Sequence, residues 1–147
     1  TGFTDLPLIT LHGEYDRVEF LGGDAVRVVD FKTGSPKTRN YIEGNTKDSN
    51  GNYKRQLVFY ALLAKLDPVR SWSVREGVID FVEPDEKGKY HREVFAVSEK
   101  EVEELAGVVR TALKDISSFV FFDTPCDGEK WKKEGVALVE AFKARLN

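Results

Sequence analysis

The chain has 147 residues, 41% hydrophobic and 12% aromatic, which is enough for one core and too little for two. Its net charge of −3 argues against a free-standing protein that grips nucleic acid by bulk electrostatics. A single cysteine excludes an internal disulfide, and no run of about 18 apolar residues marks a membrane span.

No signal-peptide pattern is read at the start, which falls at Thr1 in a chain without methionine. The expectation is therefore an excised piece of a longer, cytoplasmic protein. A first strand is expected at Pro7 to Tyr15. Alternation then predicts a hairpin from residues 14 to 20 and 25 to 32 around Leu21-Gly22-Gly23-Asp24. If Gly22, Gly23 and Asp24 form a three-residue loop, Leu21 faces Ala25, Phe20 faces Val26, Val18 faces Val28, and Asp16 faces Asp30. One face then carries Val18, Phe20, Val26 and Val28 and changes abruptly to Asp16, Asp30 and Lys32. Two carboxylates that close need compensation, and a hard divalent cation such as Mg²⁺ suits them. Lys32 beside it would orient a water or neutralise charge on a phosphate. A plain Asp30–Lys32 salt bridge at the sheet rim is the competing reading, and a one-residue register slip would dissolve the constellation.

Residues 35 to 55 form a polar stretch with five basic residues (Lys37, Arg39, Lys47, Lys54, Arg55) against two acidic ones. A loop this long suggests a phosphate-facing use, with a solvated or disordered insertion as the alternative. A helix follows, about Tyr53 to Leu66, on which Gln56 and Tyr60 share a face one turn apart. They suggest a fixed hydrogen-bonding task or, more blandly, amphipathic edge residues. A second hairpin runs from Trp72 through the turn Asp85-Glu86-Lys87-Gly88 to Val97. Ser98 with Glu101 reads as a capping box, opening a helix whose Val102, Leu105, Ala106, Val109, Leu113 and Ile116 stripe packs on the sheet. A last helix is expected at about Glu129 to Leu146. The order β-β-α-β-β-α-α gives an α/β fold, a mixed central sheet flanked by helices, in one domain over 1–147.

Three motifs occur in order: G-E-Y-D-R-V at Gly13 to Val18, V-V-D-F-K-T-G at Val28 to Gly34, and Q-L-V-F-Y at Gln56 to Tyr60. Together they resemble the nuclease module of the RecB and AddA type in the PD-(D/E)xK superfamily, as found at the C-terminus of UvrD-like helicases. The resemblance implies a restriction-endonuclease-like core, N-terminally truncated, and Mg²⁺- or Mn²⁺-dependent cleavage of DNA, single-stranded in preference, during recombinational repair. A helicase domain of the same polypeptide or complex is the implied partner. Asp16 and Asp30 match the metal-binding acids, the Phe31 carbonyl a further ligand, and Lys32 the catalytic lysine. Gln56 and Tyr60 match the Q-x-x-x-Y helix beside the active site. Lys37, Arg39, Lys54 and Arg55 join them as candidate DNA contacts. Arg17 is expected in a structural ion pair on the opposite face, and His12 in a structural role.

Two departures stand out. No helix long enough to supply the family's upstream metal ligand precedes the first strand, so Glu14 either pairs with Lys32 or replaces that ligand. Cys126 is alone where iron–sulfur relatives carry several cysteines, so no cluster is expected. A degenerate module that binds DNA or protein without cleaving is the alternative function. A P-loop NTPase is set aside because G-x-x-x-x-G-K-[ST] is missing. A paired-carboxylate hydrolase would not need Lys32 and would work in chelator.

Overall fold

The computed structural model describes residues 10–117, so the expected helix at 129–146 and Cys126 lie outside the described residues, as does most of the strand expected at Pro7 to Tyr15. The chain divides into two compact units, Ile9–Val108 and a second formed by Thr1–Leu8 with Val109–Asn147. Within the first, β1 (Arg17–Gly22), β2 (Ala25–Lys32), β3 (Ser73–Phe81) and β4 (His91–Ala96) form a four-stranded sheet in the order β1-β2-β3-β4. β1/β2 and β3/β4 are antiparallel hairpins, while β2 and β3 run parallel. A parallel pair needs a crossover, supplied here by α1 (Arg39–Glu43) and α2 (Asn52–Leu66). This is the expected α/β arrangement, a mixed sheet flanked by helices.

The central strands carry the core. Val26, Val28 and Val29 of β2 and Val78, Ile79 and Phe81 of β3 are buried, joined by Leu57 and Leu62 of α2 and Phe95 of β4. Each such side chain contributes roughly 1.5–3 kcal/mol. How closely α2 seats is decided at Gly77, where a Cβ would stand 2.7 Å from Leu57 Cβ. Only a bare Cα lets the helix press onto β3 at that depth. α2 buries Leu57, Val58, Tyr60, Ala61, Leu62 and Ala64, so it is a core helix.

Several local expectations need correction. Phe20↔Val26 and Val18↔Val28 pair as expected, but Gly22 pairs with Ala25 and the register shifts between Phe20 and Gly22. Leu21 is the bulged residue and the loop is Gly23-Asp24. Residues 10–15 are not strand, and Phe20, expected to face the core, is 69% exposed because β1 is the sheet edge. Residues 35–55 are not one loop, since α1 stands within them, capped by Thr38 and anchored by buried Ile42. The second hairpin turns at Asp85, whose carboxylate accepts the amides of Lys87 and Lys89. α3 (Glu99–Ser117) opens on the expected capping box: Glu101 Oε2 accepts from Ser98 N at 2.8 Å. Of its stripe only Val102 and Ala106 are buried, and Ile116 is 57% exposed. No described helix is long and apolar enough to cross a membrane.

Candidate active site

β2 alternates Val26, Val28, Asp30 and Lys32 toward α2, so its apolar face ends in two charges at the C-terminal end of the strand. Asp30 is 3% exposed, the one buried charged residue among those described. Burying a carboxylate this deeply is tolerated only with partners. Tyr60 donates to its Oδ1 at 2.9 Å, and Lys32 Nζ stands 2.7 Å from its Oδ2. Lys32 also donates to Gln56 Oε1 at 2.7 Å, and Gln56 Nε2 donates to the Tyr60 hydroxyl at 2.8 Å.

These contacts close a ring in which protons are offered from Lys32 toward Asp30 on both sides, through Gln56 and Tyr60 on one and directly across the ion pair on the other. Lys32 has only protons to give, which fixes the Gln56 amide with its oxygen toward Lys32 and its nitrogen toward Tyr60. The Tyr60 proton is then committed to Asp30. Burial, first, and then the hydrogen bond and charge of Asp30 push the Tyr60 phenol up to about 12. It therefore remains a donor at any ordinary pH.

Two aromatic residues escaped the sequence reading. Tyr53, one turn before Gln56, lies with its ring 4.8 Å from Lys32 Nζ and holds the ammonium from a third side. Tyr15 packs its ring 5.3 Å from that of Tyr60 and donates to the Tyr60 carbonyl at 3.2 Å. The i, i+3, i+7 spacing of Tyr53, Gln56 and Tyr60 was a usable signal for the first. Nothing local announced the second.

Asp16 reaches the site differently from the expected cross-strand pairing with Asp30. The β1/β2 ladder ends at Arg17↔Val29, and Asp16 lies one residue beyond it in a bend. Its Oδ2 accepts the Phe31 amide at 2.8 Å, and its charge adds to the upward push on Tyr60. Three residues earlier the chain runs close against α2, where a Cβ on Gly13 would stand 2.5 Å from Leu63 Cδ1. Asp16, Asp30, Lys32, Gln56 and Tyr60 thus gather at one end of β2.

The donor set can be tested against a hard divalent cation. Among the described residues the buried Asp30 Oδ2 is met only by the Lys32 ammonium, so it keeps lone-pair capacity of the kind such an ion would use. Two carboxylates against one ammonium leave room for positive charge. No third His, Cys, Asp or Glu completes a cluster among the described residues, so the remaining ligands would be backbone oxygen and water. Glu14 is exposed and does not pair with Lys32, which Asp30 and Gln56 already engage. His12 is exposed, and Arg17 pairs with Glu19 at 3.0 Å as expected.

Three of the five basic residues of 35–55 are taken up by acceptors within the fold. Arg39 binds Glu93, Glu43 and the Val94 carbonyl, and its guanidinium covers the Phe95 ring at 4.2 Å. Lys54 donates to the Ala96 carbonyl at 2.7 Å and pairs with Glu101, while Arg55 is held by Asn52 and the Asn50 carbonyl. Lys37 only overlies the Tyr41 ring, at 5.3 Å.

The model of the PD-(D/E)XK nuclease superfamily matches residues 1–128, a span that contains the whole ring. No curated protein matches the chain.

Proposed function

Since the chain belongs to the PD-(D/E)XK nuclease superfamily, whose members are generally nucleases, we propose that it is a metal-dependent deoxyribonuclease domain that hydrolyses phosphodiester bonds. It acts on single-stranded DNA, exonuclease-like, as the nuclease part of a helicase–nuclease in recombinational repair. The observation that carries the reading is the closed ring Lys32–Gln56–Tyr60–Asp30 with Asp16 tied to the adjoining amide. A salt bridge alone would need neither the amide nor the phenol.

Asp16, Asp30 and the Phe31 carbonyl would hold Mg²⁺ or Mn²⁺, which when bound supplies a Lewis acid for the phosphoryl oxygen and a water of lowered pKa. The chain's own residues do the rest. Tyr60 fixes the Asp30 carboxylate through Oδ1 and leaves Oδ2 to the Lys32 ammonium and the metal. Gln56 and Tyr53 hold the Lys32 ammonium where it neutralises charge that develops on the phosphate.

A module that binds DNA without cleaving it is the second reading, favoured by the pairing of Lys32 with Asp30 and by the two-carboxylate set. Calorimetric titration of Mn²⁺ into the wild-type chain and into Asp16→Asn, beside degradation of end-labelled single-stranded DNA with and without chelator, separates the two. Metal binding that weakens at least tenfold in Asp16→Asn, with chelator-sensitive degradation, is expected. Binding without degradation would establish the second reading.

A further inference from the structure

Between α1, the loop that follows it and the first turn of α2 lies a cavity of about 430 Å³. That is within the size range of small-molecule and nucleotide sites. Its walls include the rings of Tyr41 and Tyr53, with centroids 6.3 Å apart and planes inclined by 63°. Tyr53 is also the ring under Lys32 Nζ, so a single residue belongs to both the cavity and the ring of polar groups around Asp30.

The polar groups of the cavity are oriented. Asn50 Oδ1 accepts the Asn52 amide, and Asn52 Oδ1 accepts from Arg55. Both partners are pure donors, so each side-chain oxygen is fixed and each Nδ2 is left without a partner among the described residues. Ser49 braces the loop, donating to the Tyr41 carbonyl and accepting the Gly51 amide. Lys47 lines the cavity with no ion pair among the described residues, and Lys37 stands over Tyr41. These are the two basic residues of the segment that carboxylates and carbonyls have not taken up. Asp48 supplies the one acceptor of full charge.

We infer that this cavity is a nucleotide subsite: it takes one nucleobase of the substrate strand, beside the phosphate that Lys32 faces. The base lies against Tyr41 and Tyr53, the Asn50 and Asn52 amides and Asp48 meet its polar edge, and Lys47 and Lys37 hold the flanking phosphate. Stacking on tyrosine tolerates any base, so the subsite positions the strand and confers little sequence preference. The assignment rests on the nuclease reading for the identity of its ligand.

The test is fluorescence anisotropy in chelator, where no cleavage occurs, with a short labelled single-stranded deoxyoligonucleotide and its fully abasic counterpart. The wild-type chain should bind the base-bearing strand about tenfold more tightly, the effect of one base–aromatic stack. Tyr41→Ala should lose that preference, Tyr41→Phe keep it, and Lys47→Ala weaken both strands alike. An unchanged preference in Tyr41→Ala, or none in the wild-type chain, overturns the subsite. Hydrolysis of bis(p-nitrophenyl) phosphate with Mn²⁺, run in parallel, reads the nuclease assignment separately because that diester has no base.

Discussion

The two faces of the β1–β2 hairpin carry ion networks of similar bond length and opposite construction. On the outer face Glu19 gathers Arg17, Arg27 and Arg92 at 3.0–3.2 Å, and Arg27 continues to Glu76. On the inner face Asp30 gathers Lys32 and Tyr60 at 2.7 and 2.9 Å. Glu19 draws three cations with no neutral group between them, and the Arg17 side chain is 57% exposed. Asp30 is nearly sealed, and a phenol and an amide complete its circuit. The outer network has the form of fold support, screened by water, whereas the inner one fixes donors and acceptors in direction. That difference separates a site from a salt bridge, and it can be broken experimentally in four places.

The largest effect is expected at Asp30. Asp30→Asn should lower DNA cleavage by about a thousandfold or more, as removal of one member of a unit does, while the protein stays folded by circular dichroism. Next comes Gly77→Ala. It touches no polar group of the site, yet overpacking against Leu57 should cost about 1–3 kcal/mol in urea unfolding and lower cleavage by tilting α2.

Tyr60→Phe is the third. It leaves Asp30 Oδ1 and Gln56 Nε2 without their partner, at a cost of about 1–3 kcal/mol. It also has a pH signature. An unfolded tyrosine ionises near 10, whereas folded Tyr60 keeps its proton to about 12. The unfolded chain thus binds fewer protons between these values, and wild-type stability should fall from pH 10 to 12 with a component that Tyr60→Phe lacks.

The smallest effect belongs to the outer face. Burial opposes ionisation of Glu19, but hydrogen bonds from Arg27 and Arg92 and the charges of Arg92 and Arg17 hold its carboxyl below the ordinary value. That stabilisation is complete above the unfolded carboxylate range and disappears as pH falls through the folded value. Glu19→Gln should therefore cost within about 1 kcal/mol at neutral pH, and still less in high salt or acid, when thermal melts are compared.

What was legible beforehand follows from the range of each interaction. The period-2 run of β2 and the apolar run of α2 fixed both elements. Their motifs named Asp30, Lys32, Gln56 and Tyr60, which the structure brings within hydrogen-bond distance. The Ser98–Glu101 cap was readable because its partners are three residues apart. α1 was missed because five residues are too few for a periodicity to show. Asp16 was placed on a strand because alternation cannot tell a paired residue from one just past the ladder. Gly77, Tyr15 and the partners of Arg39 and Lys54 depend on contacts 20 to 55 residues away, and charge counted along the chain carries no information about them.

The comparison is tested most directly by one paired measurement, the initial rate of single-stranded DNA degradation in Mg²⁺ by Asp30→Asn and by Glu19→Gln against the wild-type chain. A loss of about a thousandfold or more in the first, with the second at the wild-type rate, is the predicted result. Equal rates in all three, with the Asp30→Asn chain folded, would contradict it and reduce the inner ring to another salt bridge.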